Sequence, residues 1–516
     1  MKVIYATAYS DPWIKVAQKL KEEKNFEPVY WIGYEDDKSE KIISELFPNC
    51  LYHNYFDAWK GVIPESASNL FSPTNLNIDF IKNFASVELQ AIKMMDRMDS
   101  DRKSFNFMER QRHYRKILKY WTACLEFYKP DLIISPTIPH QLFDFTIFHL
   151  CNFLKIKFLT YVNTPFVGHI IPNTNITFVE KTFSDEYSKI YNSSKKTEEI
   201  KNELPSEILN IYEKVQTDYT KAKPEYMIQH VSKNKKGSNP IALLKKFLLK
   251  DIKTNNLRIF GKNGVLFSGF PSYIKQKNKN IEKVNMPILA YTKIKFKNIA
   301  YKNRLKKYYA SLAKAPSYDV PYVIFPMHYQ PEMTSSPSGD IFVDQSLCID
   351  ALLKHLPKDY FVYVKEHPAQ FYKHTEGHTS RIKEFYTDLA SNPRIKLIPI
   401  DIDTFTLIEK AQAVVTVTGT VGWEAMVRKK PVIIFGITWY EQFEGVLKIT
   451  DEDSASKIYQ FIQNYEFSER KLISYLYTLS KISVKAYHYR GKKEKVKIDE
   501  DLCIENLINS IDQIMK

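Results

Sequence analysis

The stretch that most constrains the fold spans residues 413–426. It begins with the apolar, β-branched run Ala-Val-Val-Thr-Val, passes through Thr-Gly-Thr-Val-Gly and continues into Trp-Glu-Ala-Met. This pattern predicts a buried strand, a tight turn and the beginning of a helix. An ordinary turn of a parallel sheet would give the same pattern. Because the first amides of a helix lack backbone partners and attract anions, however, the turn is also a candidate phosphate site. Its residues are Thr418, Gly419, Thr420 and Gly422.

Strand and helix signals alternate in both halves of the chain. A strand at Lys2–Ala6, a helix from Asp11 and a strand at Glu27–Gly33 form the first unit, and the pattern restarts at residue 321. We therefore predict an α/β fold with two parallel-sheet domains that face a cleft. The predicted boundaries are 1–225 for the first domain, 226–316 for a basic, largely helical insertion, 317–465 for the second domain and 466–516 for C-terminal helices that pack back across the domains.

The positive charge is concentrated in one segment. The net charge is +15, and residues 231–310 alone contain 20 Lys or Arg against Asp251 and Glu282. Residues 241–252 combine an apolar face with flanking lysines, which is typical of a helix at an anionic membrane surface. A solvated insertion and a helix that simply packs into the core are the alternatives. The segment lacks recognisable nucleic-acid-binding motifs, so no nucleic-acid partner is expected.

The cysteine pattern and the hydropathy of the sequence indicate the cellular compartment. The five cysteines are scattered without a CxxC pair, so the sequence predicts neither a disulfide framework nor a zinc site. No run of about 18 apolar residues predicts a membrane span, and the apolar run at the N-terminus is too short for a signal peptide. We expect a cytoplasmic protein.

In the first domain, His140 and Asp144 follow an apolar strand and lie four residues apart. This spacing predicts one helical face, and the position after a strand makes both residues candidates for binding an acceptor or moving its proton. The pair is at least as compatible with an arrangement in which His140 caps or packs locally and Asp144 is a charge on the helix surface. The charged cluster Asp96–Asp99 is interpreted as a solvated helical face.

Three loops of the second domain each follow an apolar strand. The first contains His328, Gln330 and Glu332, the second contains Lys365, His367 and Pro368, and the third is the glycine turn followed by Glu424. Loops after parallel strands meet at one crevice, so we expect them to form a single site.

The residue types favour transfer from an activated phosphate ester. Lys365 and His367 can hold a phosphate, and Glu424 can accept hydrogen bonds from ribose hydroxyls. Glu332 is the candidate nucleophile or base, with His328 and Gln330 orienting the substrate. Asp401-Ile-Asp403 lies in an ordinary strand-to-helix connection, so no metal site is predicted.

The HisTyrGlnProGlu, LysGluHisPro and ThrGlyThr-x-Gly-x-GluAla series resembles the bacterial capsule polysaccharide biosynthesis proteins, which include the retaining Kdo transferases. The resemblance implies two Rossmann-like domains of the GT-B type, an acceptor domain followed by a nucleotide-sugar donor domain. It also implies that His367 and Pro368 lie beside the donor phosphate and nucleotide, without a tightly bound cofactor. These Kdo transferases have a catalytic Asp four residues after a Gln, whereas position 334 here is Thr. Glu332 is the acidic residue nearest to that position after Gln330, and it is the candidate substitute for the catalytic Asp.

The expected activity is transfer of a sugar from a nucleotide donor to a lipid-linked capsule or surface polysaccharide. A CMP-sugar is the favoured donor, with Kdo or another nonulosonic acid as the sugar. The enzyme would then be peripheral at the inner face of the cytoplasmic membrane, held there by residues 231–310. A CDP-glycerol or CDP-ribitol phosphotransferase and a non-enzymatic nucleic-acid-binding or scaffold protein are the alternatives.

Overall fold

The computed structural model of the 516-residue chain describes residues 1–8, 11–33, 37–72, 75–99, 105–175, 181–217, 272–277, 280–285, 288–488 and 493–515. The amphipathic stretch at 241–252 and part of the basic segment 231–310 lie outside the described residues.

The strands are β1 (Lys2–Tyr5), β2 (Glu27–Gly33), β3 (Leu51–Asn54), β4 (Leu132–Ser135), β5 (Lys157–Asn163), β6 (His169–Asn173), β7 (Ser272–Lys277), β8 (Asn280–Asn285), β9 (Tyr322–Pro326), β10 (Phe361–Lys365), β11 (Ile395–Ile398), β12 (Ala413–Thr416), β13 (Val432–Ile434), β14 (Val446–Lys448) and β15 (Val484–Lys485).

The α-helices in the first half are α1 (Asp11–Lys24), α2 (Asp37–Leu46), α3 (Tyr55–Lys60), α4 (Glu65–Ser68), α5 (Ile78–Asn83), α6 (Ala85–Met94), α7 (Phe107–Tyr128), α8 (Leu142–Leu154), α9 (Lys181–Tyr191), α10 (Thr197–Asn202) and α11 (Ser206–Thr217). Those that follow are α12 (Ile288–Leu312), α13 (Gln345–His355), α14 (Lys383–Ser391), α15 (Thr404–Lys410), α16 (Val421–Val427), α17 (Glu452–Ser456), α18 (Ile458–Gln463), α19 (Glu469–Ile482), α20 (Lys493–Val496) and α21 (Glu500–Met515).

The first sheet has the strand order β15-β6-β5-β4-β1-β2-β3. Its five strands from β3 to β5 are parallel, and β6 and β15 add an antiparallel edge. The central strands alternate between two apolar cores, with Val3 and Ile134 facing α1 and α21 while Ile4 and Ile133 face α7 and α8. Such strands must be covered on both faces, which explains why helices flank this sheet.

The second sheet has the order β11-β10-β9-β12-β13-β14, and every neighbouring pair is parallel. Ile324 and Val414 face one core, and Val323 and Val415 face the other. The prediction of an α/β fold with two parallel-sheet domains is therefore confirmed.

The basic insertion differs locally from the largely helical prediction. Its described part contains an antiparallel hairpin made by β7 and β8. It also contains the helix α12, which begins at Ile288 and ends at Leu312. Within the described residues, no helix combines the length and apolarity that a bilayer span requires.

The C-terminal helical tail contacts both domains. Leu472 and Leu476 of α19 lie in the same core as Trp439 of the second domain. The chain then adds β15 to the first sheet, where Val484 pairs with Ile170. Finally α21 packs on α1, with Leu507 in the core that also holds Val3 and Tyr5 of β1.

Candidate functional site

The site is built on three neighbouring parallel strands of the second sheet. β9 lies between β10 and β12, with Lys365 at the end of β10 in register with Pro326 at the end of β9. The loops that leave these strands, at residues 327–332, 366–368 and 417–420, therefore begin at the same edge. Side-chain and backbone hydrogen bonds join them to one another.

His328 connects the first loop to the glycine turn. Its Nε2 accepts a hydrogen bond from the backbone N–H of Thr418 at 3.0 Å and lies 3.2 Å from Thr416 Oγ1. Burial, followed by the charges of His367 and Arg381, lowers the pKa of His328 to about 3. The ring is therefore neutral, with its proton on Nδ1. These contacts favour a positioning role for His328.

Both polar atoms of the Gln330 side-chain amide form hydrogen bonds. Its Nε2 donates to the carbonyl of Val343 at 2.7 Å, and its Oε1 accepts from Arg381 Nη1 at 2.5 Å. Its backbone N–H and C=O are both bonded to the side-chain amide of Gln370. Gln330 thus fixes the course of the loop that carries Glu332.

A buried ion pair that the sequence analysis missed lies beneath these loops. Arg381 Nε donates to Glu366 Oε2 at 2.8 Å, and their side chains are only 3% and 0% exposed. Arg381 also donates to the carbonyl of His328 at 3.2 Å, and Tyr386 donates to Glu366 at 2.6 Å. Glu366 stands inside the LysGluHisPro motif, but no spacing in the sequence links it to Arg381.

The glycine turn is packed closely against the protein. The amide of Gly419 donates to Thr416 Oγ1 at 3.0 Å, so this amide and that of Thr418 already have acceptors within the protein. Thr418 Oγ1 donates to the carbonyl of Thr334 at 2.6 Å, whereas the half-buried Thr420 makes no side-chain cap. A Cβ on Gly422 would lie 2.3 Å from Tyr440 Oη, so close packing requires glycine there.

Glu424, on the first turn of α16, is 8% exposed. Among the residues that the structure describes, no group hydrogen-bonds to its carboxylate, and the one stabilising charge beside it is Arg428. Burial raises the pKa of Glu424 to about 7. The carboxyl group is therefore available to accept a hydrogen bond from an incoming hydroxyl.

Lys365, His367 and Pro368 lie at the same edge. Lys365 Nζ donates to Thr404 Oγ1, at the beginning of α15, over 2.7 Å. His367 Nδ1 accepts the amide of Ala369 at 3.1 Å and so caps the short helical turn that begins with Pro368. In the neutral His367 ring, the proton is therefore on Nε2.

The predicted helical pair His140 and Asp144 has a different geometry. The helix α8 begins at Leu142, so His140 precedes it, and Asp144 Oδ1 accepts the amides of His140 and Gln141 at 3.0 and 2.7 Å. The prediction that both lie on one helical face is wrong because Asp144 caps the helix. Burial raises the pKa of Asp144 to about 8, and its Oδ2 is buried without a hydrogen bond within the described residues.

Glu332 lies where the two domains meet. The cleft beside it is narrow, with a cavity volume of about 10 Å³, which is room for about one water molecule, and is lined by Arg97 of the first domain and by Glu332 and Gln330 of the second. Burial raises the pKa of Glu332, while a 2.9 Å hydrogen bond from Thr334 and the charge of Arg97 oppose this shift.

The Asp96–Asp99 cluster is not a solvated helical face. Asp99 is only 3% exposed, and both Asp96 and Asp99 pair with Arg110, at 2.6 and 2.8 Å. Arg97 is half-buried and is one of the residues that line the interdomain cleft. Periodicity could not reveal the pairing, since the ion-pair partner of both acids, Arg110, lies on the following helix α7.

No cluster of three or more His, Cys, Asp or Glu residues suited to a metal ion is found in the described part of the chain.

Two curated relatives match a short segment of the chain. A segment of 112 residues is 29% identical to capsule polysaccharide modification protein LipA of Neisseria meningitidis serogroup B, covering 22% of this chain and 14% of that protein. The serogroup A protein is 30% identical over the same length, so the chain matches a small part of these relatives.

Among solved structures, the KpsC beta Kdo 2,7 transferase of Thermosulfurimonas dismutans is 10% identical, with 94% of this chain and 99% of that chain covered and a TM-score of 0.27. The UDP-GlcNAc 2-epimerase of Methanocaldococcus jannaschii is 14% identical, with 91% and 94% covered and a TM-score of 0.24. TM-scores this low support no inference about the fold or the function of this chain.

The family model described as "capsule polysaccharide biosynthesis protein" matches residues 222–486, more than half of the chain. This match includes all three loops of the site. The chain belongs to the capsule polysaccharide biosynthesis protein family.

Proposed function

We propose that this chain is a glycosyltransferase that moves a sugar from a nucleotide donor to a lipid-linked capsule or surface polysaccharide. The observation that carries the proposal is the position of Glu332. Its carboxyl group lies at the interdomain cleft, directly beside the edge where the three loops meet. A donor bound at that edge and an acceptor bound on the first domain would meet there.

The donor site would lie between Glu424 and the LysGluHisPro loop. Glu424 offers an unsatisfied carboxyl to ribose hydroxyls, and Lys365 and His367 are the cationic or donor groups nearest the strand ends. A CMP-sugar is the favoured donor, and Kdo or another nonulosonic acid is the favoured sugar. This choice rests on the motif resemblance alone.

Glu332 would act at the reacting carbon. In a retaining reaction, a Glu332 carboxylate oxygen bonds to the anomeric carbon while the bond from that carbon to the donor phosphate breaks, and the nucleotide leaves with the electron pair. The acceptor hydroxyl then displaces Glu332 and loses its proton to a base. The fixed loop contacts of His328 and Gln330 hold Glu332 in place.

Nucleotide release tests this proposal. The purified chain should release nucleotide from one of a panel of CMP-, UDP- and GDP-sugars in the presence of a lipid-linked acceptor. Glu332→Gln should lower kcat by about a hundredfold or more, because it removes the reacting carboxylate. The control is Glu409→Gln, an exposed carboxylate on α15 of the same domain.

Two results would contradict the proposal: no turnover of any nucleotide sugar, or an undiminished rate in Glu332→Gln. Phosphodiester linkages in the product would instead identify a phosphotransferase.

The exposed face of α12 supports a peripheral position at an anionic membrane. Within its described side chains, Lys297, Arg304 and Lys307 are exposed, Phe296 is 49% exposed, and no acid occurs between residues 293 and 312. Lysines and arginines on one face attract acidic headgroups.

We expect the triple variant Lys297→Gln, Arg304→Gln, Lys307→Gln to bind phosphatidylglycerol vesicles several-fold more weakly at low salt. The control replaces three lysines elsewhere, Lys41, Lys82 and Lys189, which are 73–77% exposed. Equal binding of both variants would exclude α12 as the contact.

A further inference from the structure

A cavity lies at the outer edge of the second sheet, away from the three loops of the candidate site. It has a volume of about 490 Å³ and is bounded by the residues before β14, by one face of α18 and by the beginning of α19. Because β14 runs parallel to β13, the residues before it lie at the amino-terminal ends of the strands, whereas the three loops leave the carboxyl-terminal ends. Cavities of roughly 300–1,000 Å³ are typical of sites for small ligands.

The apolar lining of this cavity includes two aromatic rings. Phe461 and Tyr465 are half-buried, with ring centroids 6.3 Å apart and planes inclined at 52°. Gly445 lies between Tyr465 and Phe443, where a Cβ would come within 3.0 Å of one ring and 2.5 Å of the other. The inclined rings do not form the parallel slot that a flat nucleobase would fill. A puckered ring can place its C–H groups over one aromatic face.

The polar lining includes two side-chain amides beside these rings. Gln460 lies on α18, and Asn464 directly follows the last residue of this helix, so the two amides are four residues apart and close in space. Both residues are exposed, and neither side chain forms a hydrogen bond within the part of the chain that the structure describes. Each amide offers both a donor and an acceptor. Adjacent hydroxyl groups, which also donate and accept, match this pair.

The charged side chains of the cavity compensate one another. Two lysines and two glutamates line it, namely Lys457, Lys471, Glu444 and Glu466. Lys471 pairs with Glu444 at 2.6 Å, and Lys457 pairs with Asp453. Because both lysines already have carboxylate partners, neither is left for a phosphate or a carboxylate of a ligand. The charges therefore favour a ligand without net charge.

We propose that this cavity is an accessory binding site for an uncharged sugar unit. A pyranose ring combines an apolar C–H face, which Phe461 and Tyr465 can cover, with hydroxyl groups that the neighbouring amides can bind. A peptide strand added to the outer edge of the sheet is less favoured, since β14 has only three residues to pair with it. The inference goes beyond the proposed transfer reaction and does not depend on it.

Calorimetric titration of the full-length protein with uncharged sugars tests this inference. The panel contains glucose, N-acetylglucosamine, maltotriose, cellotriose and triacetylchitotriose. At least one of them should bind with a dissociation constant of about 1 mM or below. Equal affinity for a monosaccharide and its trisaccharide would assign a free sugar as the ligand, whereas tighter binding of the trisaccharide would assign a glycan chain.

Variants of the lining locate the bound sugar. The double variant Gln460→Ala, Asn464→Ala should bind about tenfold more weakly, because both amides are lost. Phe461→Leu, which keeps an apolar side chain against the core but removes the aromatic face, should also weaken binding several-fold. The matched control is Gln463→Ala on the same helix, since the Gln463 amide donates to Tyr360 Oη at 3.1 Å and does not line the cavity. Thermal melting of every variant verifies folding.

Two results would overturn the inference: no binding of any of these sugars by the wild-type protein, or undiminished affinity in both the double variant and Phe461→Leu. Sugar binding that requires the two amides but occurs without any sugar transfer would support this inference and contradict the proposed function. Transfer activity in a protein whose cavity binds no sugar would do the reverse.

Discussion

At the scale of single residues, Glu424 holds a buried carboxyl without a hydrogen-bond partner in the described part of the chain, and burial raises its pKa from 4.5 to about 7. The unfolded chain releases this proton near pH 4.5, whereas the folded protein keeps it until about pH 7. Between these values the unfolded state binds fewer protons, so stability falls as pH rises.

We expect the substitution Glu424→Gln to remove this loss of stability at rising pH. At pH 8 the variant should be more stable than wild type by up to about 3 kcal/mol, because each pKa unit corresponds to ~1.4 kcal/mol. The advantage should vanish below pH 4.5, where both side chains are uncharged. Urea unfolding at about pH 4 and about pH 8 measures the difference, and a variant with the same pH dependence as wild type would show that Glu424 is not the titrating group.

Gly422 offers a second test at this scale. An added Cβ would meet Tyr440 at 2.3 Å, and Tyr440 is only 1% exposed, so its ring cannot move aside easily. Gly422→Ala should cost about 1–3 kcal/mol of unfolding free energy by overpacking. In a double-mutant cycle, Tyr440→Leu should reduce that cost, while Thr420→Ala, on the half-buried neighbour, should cost little. Additive costs for Gly422→Ala and Tyr440→Leu would mean that the ring is not the obstacle.

At the scale of elements, the ion pair between Arg381 and Glu366 ties the loops of the site together. Arg381→Met would leave the fully buried Glu366 carboxylate without its cation, at a cost of about 3–5 kcal/mol. Adding Glu366→Gln should recover part of this loss, since the remaining amide carries no charge. Chemical denaturation of both single variants and the double variant measures the coupling, and strictly additive costs would contradict the expected pairing.

The same elements show what the sequence can reveal. The strands at 413–416 and 361–365 were predictable because the apolar run, the turn residues and the helix signal stand next to one another in the chain. The pairing of Arg381 with Glu366 and the two-residue strand β15 were not, because no local pattern links Arg381 to Glu366 or residues 484–485 to β6. Local pattern fixes which face of a strand is buried, but tertiary contact decides which charges meet.

At the scale of the whole molecule, the C-terminal tail couples the two domains. It packs α19 into the second-domain core, adds β15 to the first sheet and lays α21 on α1, where Trp13 donates its indole N–H to the carbonyl of His488 at 3.0 Å. A chain segment that belongs to both cores should make their unfolding cooperative.

Leu507→Ala tests this coupling. Leu507 is fully buried in the first-domain core, so the substitution should cost about 2–5 kcal/mol. Because the tail also holds the second domain, hydrogen exchange should accelerate in peptides from β9 and β10 as well as in those from β1 and β2. Leu502→Ala, on the same helix but 48% exposed, is the matched control and should change neither. Faster exchange confined to the first sheet would mean that the domains unfold independently and that the tail does not couple them.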